Sequence, residues 1–128
     1  MAKIFDPTRK KYVKATPEEI VRQKFVKFLL SKGYPITNIR TEQTLELAGK
    51  QFRADIVVYK NSEPVMIVEC KAPDVKINAS TLEQAWIYNY VLEAKYLVLT
   101  NGNTILLCKV AGGQCQFLSE FLTYEQLQ

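Results

Sequence analysis

The sequence contains no histidine, and this absence excludes several classes of active site at once. Ser-His-Asp and Cys-His hydrolases, His-Glu-x-x-His proteases, zinc sites with histidine ligands and histidine-based nucleases all depend on an imidazole. Any chemistry must therefore depend on carboxylates, lysine, hydroxyl groups or thiols.

Cysteine is scarce as well, since the chain has three, at positions 70, 108 and 115, without a Cys-x-x-Cys pair. An odd number without that spacing favours a reduced, cytoplasmic setting. Long apolar runs are also missing, because none approaches the roughly 20 residues that span a bilayer. The basic N-terminus lacks the apolar stretch of a signal peptide. We therefore expect a cytoplasmic protein without membrane association.

Length and composition fit one globular domain. The 128 residues include 48% hydrophobic and 23% charged residues, as is typical of ordinary globular chains. A chain of this length usually folds as one unit. We expect a single domain over residues 1–128, with a basic N-terminal arm at 1–14, a core at 15–110 and a C-terminal extension at 111–128.

Positive charge is concentrated at the front of the chain. Nine of the 17 Lys and Arg residues lie within residues 1–32, which hold three acidic residues. A basic region of this kind attracts the phosphate backbone of nucleic acids, and the alternative is a solvated face without a partner. The candidates for contact with DNA are Lys10, Lys11, Lys14, Arg22 and Arg53.

Residues 16–31 are predicted to form a helix, because a threonine cap is followed by a proline and two glutamates. The apolar stripe of this helix runs from Val21 to Leu29. Extended backwards, the stripe takes in Glu18, whereas Glu19 falls on the far side. A carboxylate beside a buried face needs a reason, so Glu18 is a candidate site residue and Glu19 is its substitute. The structural alternative for Glu18 is an ion pair within the helix.

The rest of the chain predicts a sheet with one further helix. The strand-like segments are 39–47, 53–59, 64–71, 96–100, 104–110 and 116–121. Short connections between the first three favour antiparallel hairpins. Helical spacing over about 80–94 predicts a crossover between the third and fourth strands, which places helices on both faces of a mixed or parallel sheet. The predicted class is therefore α/β.

Two acids and a lysine lie on neighbouring predicted strands. Asp55 is early in one strand, and Glu69 and Lys71 share a face at the end of the next, with the Cys70 side chain on the opposite face as a core thiol. Such groups are costly to bury unless they are paired or bound to a cation. Asp55, Glu69 and the Cys70 main-chain carbonyl suit Mg²⁺, and Lys71 would stabilise charge on a phosphate or orient water. The alternatives are a turn-capping aspartate and a Glu69–Lys71 ion pair.

The segments RADIVVY and PVMIVECKAP, which contain these residues, resemble the core motif of the PD-(D/E)XK nuclease superfamily. With TPEEIVRQ, GYP, the pair Gln84 and Tyr88, and LTNG, the resemblance narrows to the N-terminal nuclease domain of type I restriction enzyme R subunits. It covers roughly residues 15–105. Two departures exist: Ala54 stands where the superfamily has proline, and no GxxxxGK[ST] loop of an ATP-driven motor occurs in these residues.

The resemblance implies a restriction-endonuclease-like three-layer α/β/α fold with a mixed central sheet of about five strands. It also implies Mg²⁺-dependent cleavage of DNA by metal-activated water, with Mn²⁺ as a substitute for Mg²⁺. The implied site residues are Asp55 and Glu69 as metal ligands, Lys71 as the catalytic lysine, Glu18 as the helix acid and Gln84 from the second helix.

The implied partners are DNA and either a second copy of the chain or a motor or specificity subunit. Two other functions stay open. The first is a DNA-binding or assembly module of the same fold that cuts poorly alone. The second is a small-molecule metalloenzyme that uses the same carboxylates, which the basic front of the chain disfavours.

Overall fold

The computed structural model of the chain describes residues 2–78, 80–82, 89 and 92–128. The strands are β1 (Lys3–Asp6), β2 (Lys11–Lys14), β3 (Ile39–Leu47), β4 (Lys50–Lys60), β5 (Glu63–Cys70), β6 (Tyr96–Thr100), β7 (Ile105–Ala111) and β8 (Gln114–Leu118). Helix α1 spans Pro17–Ser31, and single 3₁₀ turns cover Ile36–Asn38 and Tyr124–Gln126. Within the predicted second helix, residues 80–82, 89 and 92 are helical, and the others lie outside the described residues or, at 93 and 94, have no assigned helix.

Helix α1 begins as the sequence predicts. The Thr16 hydroxyl accepts a hydrogen bond from the main-chain N–H of Glu19 at 3.1 Å, which satisfies one of the free donors of the first turn. Pro17 occupies the first helical position, where its missing N–H has no cost. The helix ends just before Gly33, whose φ of 84° lies in the left-handed region that glycine tolerates.

The main sheet has six strands in the order β3-β4-β5-β6-β7-β8. Neighbouring strands are antiparallel except β5 and β6, which run parallel. The mixed sheet predicted from the sequence is present, with β8 as a sixth strand where about five were expected. This strand lies within the segment expected as a C-terminal extension, and the expected N-terminal arm contains a separate hairpin, β1–β2.

The core has two apolar clusters, because the side chains of central strands alternate between the two faces of the sheet. On one face, α1 packs Val26 and Leu29 against residues such as Ile56 and Val68. The C-terminal Leu127 joins this cluster. The opposite face buries a second cluster, whose members include Ala54, Val57, Ile67, Leu82, Ala94, Leu97 and Leu99. Strands β4 to β6 are therefore buried on both sides.

The structure corrects the expectation of reduced cysteines. Cys108 and Cys115 form a disulfide, with their Cα atoms 5.6 Å apart. Pairing of β7 with β8 brings the two residues together, and the separation of 7 residues in sequence does not reveal this approach. Cys70 is a buried free thiol, as strand alternation predicts, and burial raises its pKa. The cytoplasmic setting stays a prediction. In the described ranges, no helix is long and apolar enough to cross a membrane.

Candidate functional site

An open cleft of about 480 Å³ lies where α1 crosses β3, β4 and β5. Charged side chains dominate its lining. The acidic residues are Glu18, Glu19, Glu42, Asp55 and Glu69, and the basic residues are Lys14, Arg22 and Arg53. The cleft therefore combines carboxylates of several elements with cations from the hairpin, the helix and β4.

Asp55 and Glu69 lie side by side in this cleft, as their places on adjacent strands predict. Asp55 Oδ2 accepts a hydrogen bond from the Cys70 main-chain N–H at 2.8 Å, which fixes the carboxylate to the end of β5. Glu69 is 5% exposed, and it lies close enough to Asp55 for the negative charge of Asp55 to raise its pKa. Glu69 Oε2 is buried without a hydrogen-bond partner. The two carboxyl groups therefore form a close, largely desolvated pair.

Burial is the largest cause that raises the pKa of Glu69, to about 9, and the negative charge of Asp55 adds to it. The positive charges of Lys71 and Arg22 lower the pKa but do not offset these effects. Two like charges so close together in a desolvated place cannot both be stable. At neutral pH, without a bound cation, Glu69 therefore keeps its proton.

Arg22 is buried at the centre of an ion-pair cluster, which consists of Arg22 with Glu19, Glu42 and Asp55. Its Nη1 lies 2.5 Å from Glu19 Oε1, and its Nη2 lies 2.6 Å from Glu42 Oε1 and 2.8 Å from Asp55 Oδ1. Burial lowers the pKa of Arg22, but the hydrogen bond to Asp55 and the three carboxylate charges outweigh burial and raise it. In this geometry the guanidinium of Arg22 is occupied by carboxylates, and its contact with DNA stays a prediction.

The buried acid of α1 is Glu19, whereas the apolar stripe predicted Glu18 on the buried side; which of the two serves the site stays a prediction. Glu19 accepts hydrogen bonds from Arg22, from Arg9 Nη2 at 2.7 Å and from Gln23 Nε2 at 2.9 Å, whereas Glu18 is exposed at the rim of the cleft. The helix buries three polar side chains, Glu19, Arg22 and Gln23. A stripe drawn through apolar residues alone omits these three, which displaces its centre away from Glu19.

The sequence model of the family described as Type I restriction enzyme R protein N terminus (HSDR_N) matches residues 17–121. The chain belongs to this family. The matched segment contains α1 and the six-strand sheet, and the β1–β2 hairpin precedes it.

A solved structure supports the same family relationship. It is a fragment assigned to an HsdR subunit of a type I restriction enzyme from Vibrio vulnificus YJ016, and it matches with a TM-score of 0.68 and 25% sequence identity. The match covers 88% of the present chain and 24% of that chain, so the domain spans about a quarter of that chain's length. A search of curated proteins finds no significant match.

The remaining predicted site residues lie around the cleft, elsewhere on the β1–β2 hairpin, or outside the described residues. Lys71 directly follows β5, where its main-chain N–H donates to the Thr100 carbonyl at 2.9 Å. Arg53 is exposed and pairs with Glu42 at 3.0 Å. Lys14 lines the cleft, while Lys10 and Lys11 are exposed at the hairpin turn and on β2. Gln84 lies outside the described residues.

The sequence analysis missed Glu42 and the anchoring of the hairpin. Glu42 in β3 has a φ of 55°, and the β3–β4 register places it between the pairs Thr41–Ile56 and Gln43–Ala54, opposite Asp55. Like charges directly across strands repel, and the guanidinium of Arg22 reduces this repulsion by binding both carboxylates. Only the register could reveal the approach, because nothing in the local sequence of β3 distinguishes Glu42 from an exposed strand residue.

The fit of a divalent cation depends on two carboxylates. Among the residues that the structure describes, no three His, Cys, Asp or Glu side chains form a ready metal site. Mg²⁺ nevertheless takes as few as one or two protein carboxylates and fills its other positions with water and phosphate oxygens. Glu69 Oε2 is buried without a hydrogen-bond partner, and the pKa of the same carboxyl group is raised. Both features are expected of a carboxylate pair that lacks a neutralising cation. Asp55 and Glu69 therefore fit such a cation.

Proposed function

We propose that this R-protein N-terminal domain is a Mg²⁺-dependent DNA endonuclease of the PD-(D/E)XK superfamily, with a restriction-endonuclease-like three-layer fold. The observation that carries the proposal is the Asp55–Glu69 pair on adjacent strands, in which Glu69 lies near the end of β5 and has a buried oxygen without a partner, with Lys71 two residues further on. The two apolar clusters, one on each face of the sheet, support the three-layer fold.

Asp55, Glu69 and the Cys70 main-chain carbonyl would hold Mg²⁺, with Mn²⁺ as a substitute. A bound divalent cation supplies positive charge at the scissile phosphate and a water of lowered pKa. Glu69 is protonated near neutral pH without that charge, so its carboxyl ionises where a cation replaces the proton. Arg22 holds Asp55 Oδ1 at 2.8 Å, which fixes the orientation of the carboxylate while the Cys70 N–H holds the other oxygen.

Lys71 contributes an ammonium group whose positive charge already lowers the pKa of Glu69. A positive group in this place stabilises the negative charge that develops on a phosphate during cleavage, or orients the attacking water. Lys14 and Arg53 at the cleft lining suit the phosphates on either side. DNA is therefore the proposed substrate, and a second copy, a motor or a specificity subunit is the proposed protein partner.

The test is incubation of the purified domain with supercoiled and linear DNA in Mg²⁺ or Mn²⁺. We expect Asp55→Ala, Glu69→Gln and Lys71→Ala each to lower the cleavage rate by about 100-fold or more. Lys76→Ala is the matched control for Lys71, because Lys76 is an exposed lysine on the following loop. Cleavage that survives in Asp55→Ala and Lys71→Ala at the wild-type rate would contradict the proposed site.

A second candidate is a binding or assembly module with the same fold. The observation that favours it is the coverage, because the match includes only 24% of the solved HsdR chain and leaves most of that chain unmatched. This function predicts salt-sensitive DNA binding without cleavage by a folded protein. Cleavage that depends on Asp55 would exclude it.

A further inference from the structure

The β1–β2 hairpin presents two aromatic rings beside two lysines on one face. The register pairs Phe5 with Tyr12 and Lys3 with Lys14, and pairs two residues apart share a face of a hairpin. The pair between them, Ile4 with Val13, faces the other way and is half-buried. The rings of Phe5 and Tyr12 meet edge to face, with centroids 5.2 Å apart.

Both rings are unusually open to solvent for such large apolar groups, with Phe5 46% and Tyr12 68% exposed. Exposed aromatic faces of this kind are surfaces on which nucleic-acid bases stack. The surroundings are basic, since residues 2–16 contain five Lys and Arg residues and a single acid, Asp6. The charge of Asp6 is compensated, because it is buried and accepts hydrogen bonds from Thr8 and Arg9.

The hairpin is also held rigidly beside the cleft. The Thr41 hydroxyl of β3 donates to Asp6 Oδ2 at 3.0 Å, and Arg9 reaches both Asp6 and the buried Glu19 of α1. Hydrogen bonds to Asp6 outweigh its burial and keep its pKa well below the usual range, so these contacts persist at neutral pH. The second hairpin strand ends at Lys14, which lines the same cleft as Asp55.

We propose that the outer face of this hairpin binds an unpaired DNA base and its neighbouring phosphates. Tyr12 and Phe5 form the stacking surface for the base, and Lys3 and Lys14 contact the phosphates. The inference rests on the proposed function, because it places this nucleotide next to a cleft that holds the DNA backbone.

A single-stranded or locally opened segment fits this surface better than a duplex. In a duplex, the faces of the bases are stacked on one another and cannot reach a protein ring, whereas an unpaired base can stack on exposed aromatic side chains. The excess of positive charge favours a polyanion over a protein surface of ordinary composition. The substrate class that these residues predict is therefore DNA with an unpaired stretch beside the cut site.

The experiment measures binding by fluorescence anisotropy of labelled single-stranded and duplex oligonucleotides, in EDTA so that no cleavage occurs. We expect tighter binding of the single strand, and a loss of about 5- to 150-fold in Tyr12→Ala, which corresponds to 1–3 kcal/mol for one stacked base. Phe5→Ala should give a loss in the same range. Tyr12→Phe retains the aromatic face and should restore binding.

The lysines have a separate signature. Lys3→Gln and Lys14→Gln should each reduce the dependence of log K on log salt by about 0.7, the value for one phosphate contact on a single strand. Phe117→Ala is the matched aromatic control, because Phe117 is 55% exposed on β8, the edge strand farthest from β3. Lys27→Gln on the exposed side of α1 is the matched lysine control, and both controls should bind like the wild type.

The inference would be overturned if Tyr12→Ala bound the single strand as the wild type does, or if it lost as much affinity for the duplex as for the single strand. A change in self-association without a change in DNA binding would also overturn it. Absence of DNA binding by the wild type would overturn it as well. These results are separable from the proposed nuclease function, which Asp55→Ala tests by cleavage. Normal cleavage together with DNA binding that is unchanged in Tyr12→Ala would reject the hairpin site alone. DNA binding that depends on Tyr12, without any cleavage, would reject the nuclease function alone.

Discussion

Replacement of Glu69 by glutamine should change how the stability of the metal-free domain depends on pH. The folded protein keeps a proton on Glu69 up to about pH 9, whereas the unfolded chain releases it near 4.5. Between these values the folded state binds one proton more than the unfolded state. The contribution of Glu69 is therefore fully present below pH 4.5 and is lost as pH rises towards 9. Glu69→Gln carries no titratable group and removes this dependence.

The magnitude follows from one proton. A full proton of difference corresponds to about 1.4 kcal/mol in the free energy of unfolding for each pH unit. Over two units near neutrality, the wild type should lose about 3 kcal/mol relative to Glu69→Gln. The chain has no histidine, so few other side chains titrate in this window.

The assay is urea unfolding followed by circular dichroism at several pH values between 5.5 and 7.5, in EDTA, for the wild type and Glu69→Gln. Asp55→Asn is an informative companion: it removes the neighbouring charge but not the burial, which is the larger cause, so it should flatten the wild-type slope in part. Parallel stability curves for the wild type and Glu69→Gln would refute the retention of a proton on Glu69 in the folded state.

Two other predictions concern the ion-pair cluster and the disulfide. Arg22→Met should lower the free energy of unfolding by about 3–5 kcal/mol, because it leaves buried carboxylates without their cation. Arg53 is exposed, so Arg53→Gln should lower it by less than about 1 kcal/mol. Urea unfolding measures both variants, and equal effects would contradict the ion-pair cluster. Alkylation of the unfolded, unreduced protein should label Cys70 alone, while labelling of three thiols would contradict the Cys108–Cys115 bond. Reduction should lower the unfolding free energy by about 2 kcal/mol, as expected for a short loop.

Local pattern predicted much of the fold and the pairing of two site residues. Alternation and turn spacing gave the strands from β3 to β8, and the threonine cap with its proline gave the start of α1. Asp55 and Glu69 could be placed together because, in adjacent antiparallel strands, the earlier part of one strand lies beside the end of the next. Each of these inferences uses spacing along the chain and needs no knowledge of the packing between distant elements.

The ion-pair cluster was out of reach because it depends on how α1 crosses the sheet. Arg22 meets Glu42 and Asp55 only through that docking, and its position on the helix equally fits a solvated basic face. The hairpin could have been found, since two short alternating segments flank an Asp-Pro turn beginning at Asp6. Its abundant charge instead favoured a basic, solvated arm.

The order of the described strands divides the six-strand sheet into two antiparallel meanders, β3–β5 and β6–β8, which meet at the parallel pairing of β5 with β6. All members of the ion-pair cluster, and Glu69, belong to α1 or to the first meander. The second meander brings no charge to the site, but it places Leu99 beside Glu69. Docking of β6 therefore removes water from a carboxyl group whose charged neighbours are already in place. During folding, uptake of the Glu69 proton should coincide with the joining of the two meanders.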